Sequence, residues 1–292
     1  MLAAITASLL LAQGAAAPKA VYVQSLTKPD GSVEIMTSAQ RFVKEGKPDV
    51  WLIGAMHIGS KAYYTDLQKL LDEQGQVLYE GVKKSAGATG KPVPTKEGAP
   101  TPIYKVLSDA IGLQFQLNEI KYDRPNWTNA DLSFDELDKI NKEVGGGKPT
   151  EYDQVKQMLD PNSPQTKMLA TMLATATPGM KEALKLLIVK KASDPSVTLN
   201  PATEKVILKA RNEAVMVELG KAIDVAPAPK SIGVFYGALH MGDLETSLKS
   251  KLGYKTAEQK WFVAASADPK KMDETGKALL KAFDAQSKPK KG

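Results

Sequence analysis

The chain has 292 residues, 42% hydrophobic and 25% charged, with a formal net charge of +6 carried mostly by lysine, because only Arg41, Arg124 and Arg211 are arginine. That balance suits a soluble chain with a sizeable core, and with no cluster of arginines and aromatics it excludes a nucleic-acid-binding surface. Cysteine is absent, which excludes disulfides, thiolate metal sites and cysteine nucleophiles and leaves any metal to His, Asp, Glu or backbone oxygen.

In chain order, "MLAAITASLLLAQGAAAP" opens with an apolar run of about a dozen residues that leads into small ones. This reads as a signal peptide over residues 1–17, cleaved near Ala15 or Ala17, although no Lys or Arg precedes the run. The expectation is an exported protein, periplasmic or secreted, with no stable membrane span in the mature chain.

"VYVQSLTKPDGSVEI" predicts a hairpin about "KPDG". "DVWLIGAM" reads as a buried strand. Ser60 then caps a helix with Tyr63, Tyr64, Leu67, Leu70 and Leu71 on one face and Gly75 as its terminator, and "QVLYEGV" is the next strand. Residues 84–102 are rich in Gly, Pro, Lys and Thr and predict a loop or flap.

From Ile103 to Asp224 the pattern is helical throughout. It has a capping box at Ser133 and Glu136, Asn200 as an N-cap, Pro201 at a first helical position, and a gathering of methionines. The methionines read as core filling or as a greasy ligand groove. "SIGVFYGAL" is then a strand, Asp243 caps a helix bearing Leu244, Leu248 and Leu252, Gly253 closes it, and "KWFVA" is a strand. A last helix covers about Asp268 to Phe283.

Two of these segments match. "WLIGAMHIGS" and "VFYGALHMGD" share the frame Gly-Ala-x-His-x-Gly, and His57 and His240 are the only histidines in the chain. The expected fold is α/β (α+β): two pseudo-repeated β-α-β units forming a mixed sheet, with a large helical insertion between them. The halves are residues 18–83 and 231–292, with the flap and insertion at 84–230, all in one domain over 18–292.

Both histidines follow a strand, where open α/β sheets bind ligands. Glu80 ends the strand "VLYE" at the same edge. His57, Glu80 and His240 can hold a divalent ion with a position open for water, or a Glu–His pair can activate water without metal. Arg211 lies on the stripe Leu208, Arg211, Val215, Leu219, Ala222 and needs an anionic partner. Candidates are Glu80, a substrate carboxylate, a developing oxyanion, or Glu218 in a local pair. Asn212 is the neighbouring amide. Tyr79 and Tyr236 read as core, and Asp131 as a helix cap or a catalytic group.

The paired "GAMH" and "GALH", the Glu80 strand end, "QLNEIKYDRPNWTNADLSFDEL" and "ARNEAVMVEL" resemble the TraB/GumN family, related to the TIKI proteases, over roughly residues 20–265. The resemblance implies an α/β core of two related halves. It also implies divalent-metal-dependent peptide cleavage (Mn, Co or Zn) by His57, Glu80 and His240, with Arg211 in support. The leading expectation is an exported metal-dependent peptidase acting on a peptide or small-molecule substrate, with no nucleic-acid partner. The alternatives are a metal-free Glu–His esterase-like hydrolase and a non-catalytic periplasmic protein that binds peptides or hydrophobic ligands.

Overall fold

A computed structural model describes residues 22–85, 102–194 and 199–286. The expected signal peptide, nearly all of the flap and the lysine-rich tail lie outside those residues. Where the chain is described the fold is mixed α/β, as expected, built on one seven-stranded sheet.

The hairpin forms as predicted. β1 (Val23–Thr27) and β2 (Val33–Val43) pair antiparallel, and Gly31 turns between them at φ 87°, a left-handed value that disfavours any side chain. β3 (Asp49–Ala55) pairs antiparallel with β2 and parallel with β8 (Ser231–Gly237). On its other side β8 pairs parallel with β5 (Gln76–Tyr79), which pairs parallel with the edge strand β7 (Trp127–Asn129). A two-residue pair, β4 (Ile58–Gly59) with β6 (Gln114–Phe115), stands apart from the sheet.

Alternation along the central strands builds two apolar layers. Trp51, Ile53, Val77, Tyr79 and Phe235 join one buried cluster, while Val50, Leu52, Leu78, Val234 and Tyr236 join the other. Period-2 side chains apolar on both faces require cover on both faces. The first face is covered by α1 (Lys61–Asp72), α2 (Ile103–Ile111), α6 (Pro164–Ala174) and α7 (Pro178–Lys191). The second is covered by α9 (Ala210–Asp224) and α10 (Met241–Leu252). The remaining helices are α3 (Gln116–Glu119), α4 (Phe134–Gly145), α5 (Glu151–Leu159), α8 (Pro201–Glu204) and α11 (Glu274–Gln286). Among the described residues no helix is long and apolar enough to cross a membrane.

Several helix ends follow their local chemistry. Ser60 accepts from the Tyr63 N–H, Ser133 and Glu136 close a reciprocal capping box, and Asn200 accepts from the Thr203 N–H ahead of Pro201. Gly253 ends α10 at φ 72°.

The second β-α-β unit closes in the same sheet: β9 (Lys255–Ala267) runs in the direction of β8, but it lies on the far side of β2 and pairs antiparallel with that strand along its whole length. Three expectations need correction. Asp243 does not cap α10. A 3-10 turn over Ala238–His240 runs directly into that helix and leaves Asp243 in its first turn. The stretch between Ile103 and Asp224 is not wholly helical, since β6 and β7 interrupt it and β7 extends the sheet. Gly75 does not terminate α1, whose C-cap is Glu73. A Cβ on Gly75 would stand 3.1 Å from the Ser231 carbonyl oxygen, so its small size serves the close approach of β8.

Candidate active site

The two copies of the Gly-Ala-x-His-x-Gly frame sit on neighbouring parallel strands. Gly54 lies opposite Tyr236 and Ala55 opposite Gly237, so the copies run side by side with a one-residue offset. A Cβ on Gly54 would come within 3.3 Å of the Ala238 Cα and 3.2 Å of the Ser38 carbonyl oxygen, which is why the first frame needs glycine there. β5 lies on the other flank of β8, with Tyr79 opposite Phe235. The carboxyl ends of β3, β8 and β5 therefore deliver His57, His240 and Glu80 to one edge, where a parallel sheet leaves its crevice.

Glu80 is the hub. Its Oε2 accepts from the Gly237 backbone N–H at 2.5 Å, and its Oε1 accepts from Arg211 Nη2 at 2.6 Å. His240 Nε2 stands 3.6 Å from the same Oε1. Burial pushes the Glu80 carboxyl up, but Arg211, reinforced by His240 and His57, holds it well below its ordinary value. Glu80 is therefore a carboxylate at neutral pH and a weak base.

Arg211 is buried on the predicted stripe of α9. A five-residue π-helical turn, Lys205–Lys209, ends just before that helix, a local irregularity common at functional sites. The guanidinium binds Asp131 twice, with Nε to Oδ1 at 2.8 Å and Nη2 to Oδ2 at 2.5 Å, and reaches Glu80 through the same Nη2. Burial lowers its pKa, but Asp131 and then Glu80 raise it well above the usual arginine range. The local partner Glu218 pairs with Lys221 instead. Held by two carboxylates, Arg211 fixes Glu80 in place and is not a free oxyanion donor.

Each imidazole is anchored by a side-chain amide. His240 Nδ1 is 2.7 Å from Asn212 Oδ1, and His57 Nδ1 is 3.1 Å from Gln116 Oε1. Gln116 Nε2 donates to the Tyr122 hydroxyl, which turns its carbonyl toward His57. An amide oxygen facing Nδ1 makes that nitrogen the N–H and leaves the lone pair on Nε2. Both rings also pack on a phenol: His57 on Tyr104 with centroids 5.0 Å apart, and His240 edge-on to Tyr236 at 5.4 Å. Burial and then the Glu80 charge push the Tyr104 phenol up to about 12, so it stays protonated.

His57, Glu80, Arg211 and His240 line one cavity of about 420 Å³. Its other walls are mostly apolar and come largely from the helical segment, including Leu107, Leu137, Leu169, Leu173 and Leu187, with Gln116 and Lys156 as further polar lining. Met172 and Met180 line it while Met158, Met168 and Met216 do not, so the methionines are only partly a groove lining. Tyr79 packs against Tyr122 and Trp127 and is core, as expected.

The sequence reading gave too little weight to two contributors and missed a third. Asp131 caps no helix, because Ser133 does so, and its carboxylate goes to Arg211, the Gly81 N–H and the Leu132 N–H. The redundancy of two capping residues in "NADLSFDEL" was the available signal. Asn212 carried little weight beside Arg211. Gln116, on a four-residue helix after a two-residue strand, gave no periodic signal at all.

The fit to a divalent ion is incomplete. Two ligands of a tetrahedral centre with bonds of ~2.0–2.2 Å stand ~3.4 Å apart, close to the 3.6 Å between His240 Nε2 and Glu80 Oε1. Anchored Nδ1 atoms are also how metal-binding imidazoles are oriented. Against this, Arg211 already neutralises Glu80, and among the described residues no group of three or more His, Asp or Glu side chains is arranged to hold an ion. The structure offers two donors at ligand spacing, with His57 in the same cavity, and not a closed three-ligand centre.

Compared with family models, curated proteins and solved structures, the chain matches none.

Proposed function

We propose that the chain is a hydrolase of ester or amide bonds in a peptide or small molecule, with its chemistry at the polar end of the apolar cavity. The observation that carries this reading is the 3.6 Å gap between His240 Nε2 and Glu80 Oε1 at the cavity wall. A water ~2.8 Å from both atoms donates one proton to each and keeps its lone pairs for a carbonyl carbon. That water oxygen adds to the carbonyl carbon and its proton passes to His240 Nε2. The C–O or C–N bond then breaks as the leaving oxygen or nitrogen takes the proton, giving an acid and an alcohol or amine. Glu80, a weak base, orients the water and stabilises the imidazolium. The neutral hydroxyl of Tyr104, which also lines the cavity, is the donor available to the developing oxyanion. The repeated frames that resemble the TraB/GumN family support the same residues, and the apolar N-terminal run supports an exported location.

A metal-dependent variant is the second reading, favoured by the ligand-like spacing and the anchored Nδ1 atoms. His57, Glu80 and His240 would hold a divalent ion such as Mn, Co or Zn, which when bound lowers the pKa of its water toward ~7.

The test is turnover of an ester panel and a peptide library by the purified chain, His57→Ala and His240→Ala, each before and after exhaustive chelation. The proposal expects His240→Ala to lose ~10²–10⁴-fold in turnover. Full activity in both histidine variants would remove it, and activity lost on chelation and restored by one metal would select the second reading.

A further inference from the structure

The cavity is far larger and greasier than a hydrolytic centre alone requires. Its inner end is the cluster of Glu80, Arg211 and His240, all buried or nearly so. Phe134, Leu159 and Met172 also line it, yet each is 38% exposed, which places an apolar lip at α4, α5 and α6. Large hydrophobic side chains left in water around a concave opening mark a binding mouth. Between lip and floor the walls are mostly apolar side chains of the same helical segment, with Lys156, which pairs with Asp138, among them.

The charge at the floor narrows the ligand further. Glu80 and Asp131 face a single guanidinium, so with neutral histidines the floor carries one net negative charge. Arg211 is already held by both carboxylates, so it is not open to a ligand carboxylate. A free fatty acid would bring a second buried anion to that end, at a large desolvation and repulsion cost. A neutral carbonyl does not.

We infer that this cavity takes a linear fatty-acyl chain whose neutral ester or amide carbonyl lies against His240 and Glu80, with the chain running outward along α4–α7 toward the lip. This rests on the hydrolase reading for the fate of the carbonyl, but not for the binding of the chain.

Binding and turnover are measured separately on the full chain. Calorimetry with butanamide, octanamide and dodecanamide should show saturable binding that tightens roughly tenfold for every two methylenes until the cavity is filled. Dodecanoate should bind at least roughly tenfold more weakly than dodecanamide. Ala176→Trp narrows the cavity from the turn between α6 and α7, and Met172→Glu charges the lip. Both sites are only partly buried, so the fold tolerates them, and both should weaken dodecanamide and lower turnover of p-nitrophenyl laurate more than that of p-nitrophenyl acetate. Equal affinity across chain lengths, dodecanoate as tight as dodecanamide, or indifference to both variants overturns the inference. Dodecanamide binding with no turnover of p-nitrophenyl acetate, octanoate or laurate upholds it and removes the hydrolase reading. Turnover of all three esters without chain preference, and no amide binding, does the reverse.

Discussion

His240 Nε2 stands 3.6 Å from Glu80 Oε1, beyond a direct hydrogen bond and close enough for both to hold a third atom. Two anchors set that gap. Asn212 fixes the imidazole from behind, and Arg211 with the Gly237 N–H fixes the carboxylate. Arg211 and Asn212 are consecutive residues on α9, and Gly237 opens the frame that carries His240, so the spacing is set by how α9 packs on the ends of β5 and β8.

The ion network should dominate stability at the site. Arg211→Met leaves Asp131 and Glu80 buried and unpaired, and removing one partner of a buried pair costs ~3–5 kcal/mol. Arg211→Lys should recover little, because one ammonium cannot reproduce the two bonds to Asp131 and the one to Glu80. Urea unfolding of the three proteins at pH 7 checks this, and a lysine variant as stable as the parent chain would contradict the geometry.

Acid should weaken the fold through Glu80. Its carboxyl is held well below the ordinary 4.5 when folded. A depressed folded pKa stabilises the native state above the unfolded value, and that stabilisation is lost as pH falls through the folded one. Stability of the parent chain should therefore decline below about pH 4.5. Glu80→Gln should be less stable near neutrality and show a shallower decline. Denaturant midpoints from pH 2 to 7 read this out, and parallel profiles for the two proteins would place the acid sensitivity elsewhere.

Gly237 is needed for a reason other than backbone freedom. A Cβ there would stand 3.2 Å from Glu80 Oε2, the oxygen that accepts the Gly237 N–H. Gly237→Ala should push the carboxylate off its place, cost ~1–3 kcal/mol by overpacking, and cut turnover more than stability. Gly46→Ala is the contrast. It sits at φ 69° with nothing within 4 Å of a Cβ, so it should cost stability by strain and leave turnover per folded molecule unchanged.

Much of this site was legible because its parts sit on strong local signals. His57, Glu80 and His240 each follow an apolar run that reads as a buried strand and forms one, and Arg211 lies on a regular buried stripe. That the strands are neighbours could be inferred only from the repeat, and the pairing bears it out. What stayed hidden depends on long-range pairing. β9 closes the second β-α-β unit, but against the long antiparallel edge of β2 and not beside β8. Asp131 looks like a cap until Arg211, eighty residues away in sequence, claims it. Gln116 and Tyr104 meet His57 through elements too short or too ordinary to announce themselves.

The two histidines permit a direct reading of proton placement. With an amide oxygen on each Nδ1, the uncharged form of both rings should be the Nδ1–H tautomer, with the Nε2 lone pair toward the cavity. A chain labelled with ¹⁵N-histidine contains two ring systems and no others, since the sequence has two histidines. Long-range ¹H–¹⁵N spectra at pH 8 therefore assign each nitrogen without crowding. Gln116→Leu should disturb only the His57 ring, and Asn212→Leu only the His240 ring, which also gives the assignment. Asn212→Leu should lower kcat by roughly 10–100-fold with little change in KM, because it frees the base to adopt the wrong tautomer without touching the apolar walls. An Nε2–H signal for His240 in the parent chain would leave no lone pair for the water and would defeat the proposed role of that residue, whatever the turnover of the variants.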